Sequence, residues 1–145
     1  MPPISVIGRK VNIDNMVNWI VNNKLPQYGN QVCATHVRQA LEAGNFDTSG
    51  RTLNAKDWGP GLEKAGFEVI GEGTVRNPGN SLPDGYIPKK GDIIIYQPGP
   101  LPPGHIQIYA APDWYSDHRQ NTELPKRSGW EGAPYRIYRY GGAAQ

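Results

Sequence analysis

The sequence predicts an α+β fold, with helices in the first half packed on an antiparallel sheet built from the second. Three observations point there. Apolar residues recur at helical spacing up to about residue 43, and short apolar runs rich in Ile, Tyr and Trp recur from residue 92 onward. Between them, 18 Gly and 14 Pro among 145 residues punctuate the chain into turns and leave room for few regular elements. Helices first and strands second is the α+β pattern. One domain over 1–145 is long enough to bury a core without metal or disulfide staples.

The elements follow in order. Residues 11–23 form a first helix on Ile13, Met16, Val17, Ile20 and Val21, with Asn12 as cap and Pro26 forcing its end. A second helix covers about 31–43, capped by Asn30, burying Val37, Ala40 and Leu41, and stopped by Gly44-Asn45. A short third helix lies around Pro60–Ala65, followed by a brief strand at Phe67–Ile70. Residues 71–91 lack periodicity and read as a long surface loop. Four strands are then expected at Asp92–Gln97, His105–Ala110, Trp114–Arg119 and Tyr135–Tyr140; the short links between the first three favour antiparallel pairing.

Composition removes several function classes. A formal charge of +2 suits approach to an anionic polymer, but the Lys and Arg residues are scattered rather than clustered, which argues against nucleic acid. The single cysteine excludes an intramolecular disulfide and a multi-thiolate zinc site. No apolar run approaches the roughly 20 residues that span a bilayer. Residues 1–7 lack the apolar stretch of a secretory signal, so action outside the cytoplasm requires another route or a signal already removed.

The chemistry concentrates on Cys33. At the start of a helix, free backbone N–H groups and the positive end of the helix dipole favour a thiolate and can later hold an oxyanion. Such a nucleophile needs a base. His36 lies on the same helix and is poorly aimed, though it can border the site. His105 opens a strand in which His105, Gln107 and Tyr109 alternate with Ile106 and Ile108; with the Ile face in the core, the His face is expected towards a cleft. Asp117 on the next strand is the expected group orienting the imidazole, and Gln27 or Tyr28 an oxyanion donor. Asp92 reads as a turn-shaping residue, and Trp19, Trp58, Trp114 and Trp130 mostly as packing.

The segments Gly29–Val37, Pro88–Tyr96 (with Gly91-Asp92) and Gly104–Tyr109 together resemble the papain-like NlpC/P60 and CHAP peptidoglycan hydrolases, over roughly residues 27–120. In those families a helix-start cysteine is followed by a Gly-Asp strand, a strand-initial histidine and a polar residue on the next strand. The resemblance implies a papain-like fold. It also implies a cysteine amidase or endopeptidase cutting wall stem peptides or crosslinks without metal or cofactor. The compact chain is also similar to the amidase effectors injected by type VI secretion. That likeness implies action in the periplasm or wall of a target bacterium and an immunity protein over the cleft; a phage lysis enzyme, cytoplasmic until released, fits the same features. Two rival readings stand beside it: a non-catalytic module binding wall or protein on the same scaffold, and a cysteine peptidase acting on proteins.

Overall fold

A computed structural model describes residues 10–24, 33–52, 54–75, 82–83, 85–97, 104–116, 119–120, 130 and 132–141, with the backbone alone at Cys33, Arg119 and Gln120. The architecture is α+β. Helix α1 covers Ile13–Asn22, α2 Cys33–Ala43 and α3 Gly59–Lys64, with a 3-10 turn at Ala55–Asp57 just before α3. Strands β1 (Phe67–Thr74), β2 (Ile93–Tyr96), β3 (His105–Tyr109), β4 (Trp114–Tyr115), β5 (Arg119–Gln120) and β6 (Pro134–Tyr140) make one sheet in the order β1-β6-β2-β3-β4-β5. Every pairing is antiparallel.

The local reasons are those of the sequence. Asn12 caps α1 by accepting the Asn15 N–H at 3.0 Å. Pro60 lies in the first turn of α3, where its missing N–H costs nothing. Gly44 ends α2 against α1: a Cβ there would come within 2.7 Å of the Asn12 carbonyl oxygen, which only glycine avoids. The helices are antiparallel and close. The expected cap of α2, Asn30, lies outside the described residues.

Two elements differ from expectation. Strand β1 continues to Thr74 rather than ending at Ile70, because Gly71 and Gly73 pair with Ile137 and Tyr135 of β6 across a register shift. These glycines are not breakers; a Cβ at Gly73 would lie 2.8 Å from the Tyr135 hydroxyl, so the missing side chain makes room for a ring. The expected strand Trp114–Arg119 is instead the two short strands β4 and β5.

The central strands β2 and β3 are buried on both faces, whereas edge strand β1 is largely exposed. Opposed residues in a ladder share a face, so Ile93, Ile95, Ile106 and Ile108 point together, and they pack with Met16, Ile20, Val37 and Leu41 of the helices. Ile94, Tyr96, Tyr135 and Ile137 point the other way and form a second core with Trp114 and Trp130.

Candidate active site

Three sets of contacts fix how α2 lies on β3. His36 at the start of α2 bonds the Asn23 carbonyl beyond the end of α1, with Nε2 3.0 Å from the oxygen. At the other end Asn12 donates to the Gly44 carbonyl at 2.8 Å. The beginning of α1 in turn sits on Gly91, whose Cβ would touch Ile13 at 2.7 Å, and Gly91 donates to the carbonyl of Tyr109, the last residue of β3. The C-terminal end of α2 therefore lies at the Tyr109 end of β3, and α2 packs along that strand. Its first residue, Cys33, comes to the His105 end. The helix that begins with the cysteine and the strand that begins with the histidine start at the same rim of the sheet.

At that rim Gly104 turns the chain into β3 with a φ of +80°, and a Cβ there would be 2.5 Å from the Tyr96 carbonyl oxygen and 2.9 Å from Lys56. His105 follows, 4% exposed, on the face of Tyr96 and Trp130, with ring centroids 5.9 and 6.4 Å away. Its Nε2 is 3.0 Å from Oε1 of Gln107, which is fully buried and donates its amide to the Tyr96 hydroxyl at 3.4 Å. An amide oxygen only accepts, so this contact is a hydrogen bond in the tautomer that carries its proton on Nε2. The alternation expected along β3 holds, with one correction: the histidine face is a second aromatic core rather than the wall of an open cleft. His105 reaches the rim only because it is the first residue of its strand.

No protein-family model matches the sequence, and no curated protein does. Solved structures do. The effector–immunity complex Tae3–Tai3 of the type VI system of Ralstonia pickettii matches at 30% identity and a TM-score of 0.69, over 89% of this chain and 98% of that one. Its selenomethionine form matches at 31% identity and a TM-score of 0.68, over 86% and 98%. The chain belongs to the Tae3 family of type VI effectors.

In this Tae3-family chain the buried carboxylate of Asp92 ties the sheet to the loop before it. Arg139 of β6 grips it with Nε on Oδ1 and Nη2 on Oδ2, both at 2.8 Å, while the Tyr86 hydroxyl donates at 2.7 Å and the Lys89 N–H at 2.9 Å. Burial, and then the bond to this carboxylate, push the Tyr86 phenol well above its usual range, so it stays a donor. The turn-shaping role expected for Asp92 is met, and Arg139 is its unforeseen partner. His36 links the two helices, its ring 5.7 Å from that of Trp19. Asp117, Gln27 and Tyr28 lie outside the described residues. Sequence reasoning missed Gln107 as the partner of His105, although the period-two pattern already put both on one face. Among the described residues, no group of three or more His, Cys, Asp or Glu could hold a metal ion, and no helix is long and apolar enough to cross a membrane.

Proposed function

We propose that this chain is a cysteine amidase of bacterial peptidoglycan, delivered into a rival cell's periplasm and restrained in its producer by an immunity protein. What supports the chemistry is that α2, which begins with Cys33, and β3, which begins with His105, start at one end of the sheet; α2 lies on the Ile face and the imidazole on the Tyr96–Trp130 face, so this reading has sulfur and ring meet around that edge. Membership of the Tae3 family supports the biological setting, since the Ralstonia effector is found bound to an immunity protein. A papain-like arrangement of the NlpC/P60 and CHAP kind is the frame this reading supposes.

In this mechanism the Cys33 sulfur attacks the carbonyl carbon of a stem-peptide amide, and helix-start N–H groups hold the oxyanion. His105 takes the thiol proton on Nδ1 and returns it to the departing amine as the C–N bond breaks, leaving a thioester. Water then attacks the thioester, with His105 as base, and frees the carboxylic acid and the thiol. Gln107 keeps the imidazole in the tautomer this requires. Asp117 was expected in that role from the sequence; in this reading the amide of Gln107 fills it.

Purified protein should release new amines from isolated cell wall, and mass spectrometry of the digest should show one class of amide opened. Cys33→Ala should release none. Equal release by both would end the cysteine mechanism, and no release by either would end the hydrolase reading.

A further inference from the structure

A second feature opens at the same end of the sheet. A cleft of about 570 Å³ lies between the 3-10 turn, the start of α3 and strands β1, β6 and β2. Lys56, Glu72, Gln97, Arg136 and Tyr138 line it. It adjoins the rim directly. Gln97 follows Tyr96, the ladder partner of His105, and donates its amide to the Lys56 carbonyl at 3.3 Å. Lys56 itself packs on Gly104, the residue before the histidine.

The charge in the lining is unbalanced. Two cations, Lys56 and Arg136, face it with one carboxylate, Glu72. Arg136 meets Glu72 through Nε at 3.3 Å, and both side chains are more than half exposed, so the pair is loose and solvent-screened. Lys56 leans on Asp57 at 3.2 Å, also across exposed surface. Tyr138 is held differently. Its hydroxyl fits the notch at Gly59, where a Cβ would come within 2.7 Å, and it shares a strand face with Arg136 two positions away. A guanidinium, an ammonium and a fixed phenol around one hollow make a receptor for a planar anion.

We propose that this cleft binds a free carboxylate of the peptide whose amide is cut at the neighbouring rim. The proposal rests on the hydrolase reading and adds substrate selection to it. A wall peptide carries carboxylates on its acidic residues and at its end, and organisms that amidate them remove the charge. The enzyme would thus prefer walls with free acids. Arg136 and Lys56 contribute to binding, and the bond-making groups at the rim are separate from them.

The test uses the intact Cys33→Ala protein, which holds peptide without cutting it. It is titrated with two soluble stem peptides identical except for a carboxylate replaced by a carboxamide. The acid should bind about tenfold more tightly, the worth of one charge-assisted contact. Arg136→Gln with Lys56→Gln should erase the preference while the melting temperature stays unchanged. In the cutting enzyme the same pair should raise KM for the acid peptide and leave kcat alone. Equal affinity for acid and amide, or a preference that survives both substitutions, would overturn the subsite. Failure of the native protein to cut any wall peptide would instead count against the hydrolase reading, and the titration separates the two outcomes.

Discussion

A histidine base has two ring nitrogens, and what holds the one decides what the other can do. Here Gln107 holds Nε2 from two positions along the same strand, at 3.0 Å and with no exposed surface of its own. An amide oxygen buried beside an imidazole costs more when its partner is lost than the bond adds when made, so the contact favours the tautomer that donates from Nε2. Gln107→Leu, close in size, should leave the chain folded but cut the rate of amide hydrolysis by about tenfold to a hundredfold, since the imidazole loses both its tautomer and its aim. Gln107→Glu restores an acceptor and should recover much of that rate, with the acid limb of the pH–rate profile moved to higher pH. A rate equal in all three forms would show that the glutamine only packs. Its place is legible in the sequence, since alternation puts it beside His105; its partnership is not, because the strand pattern points to Asp117 on the neighbouring strand. The same holds for Arg139 and Asp92, which meet across 47 positions and share no local pattern.

At the scale of elements, periodic segments were readable and irregular ones were not. Helices α1 and α2 and strands β2 and β3 follow the spacing of their apolar residues within two positions at each end. The sequence shows strand β1 only as far as Ile70, because Gly71 and Gly73 read as turns although the rings of β6 need their space. The 3-10 turn at Ala55–Asp57 has too few residues to show a period, yet it carries Lys56 to the rim. The link that matters most is Gly104, which joins a positive φ to close approach by Tyr96 and Lys56. Gly85 has a similar φ, +83°, with nothing near its missing Cβ. Alanine at Gly85 should therefore cost only the backbone term, about 1 kcal/mol, in denaturant titration. Alanine at Gly104 should cost about 2 kcal/mol or more and displace His105, lowering kcat beyond what the lost stability explains. If the two variants lose activity alike, Gly104 does not aim the histidine.

The molecule as a whole is a sheet between two unlike cores, and His105 belongs to the less expected of them. On the helical side aliphatic side chains mix with Trp58, Tyr115 and Tyr138, and Phe46 meets Phe67 and Tyr140 at ring distances of 5.2 and 5.3 Å. On the other side Trp130 covers Tyr96 at 6.1 Å and His105 at 6.4 Å. Both Phe46 and Trp130 are about 2% exposed, so truncating either removes a large buried ring and leaves a cavity. Phe46→Ala and Trp130→Ala should each lose about 3–5 kcal/mol of stability. Their effects on catalysis should differ. The cavity left by Phe46 lies at the end of β1, away from the rim, whereas that left by Trp130 opens beside the imidazole and the tyrosine that holds Gln107. Measured well below both melting temperatures, Phe46→Ala should keep nearly native amide hydrolysis, and Trp130→Ala should lose most of it. Equal activity in the two variants would mean that the aromatic core stabilises the sheet without shaping the site. The aiming of His105 would then rest with groups such as Gly104 and Gln107.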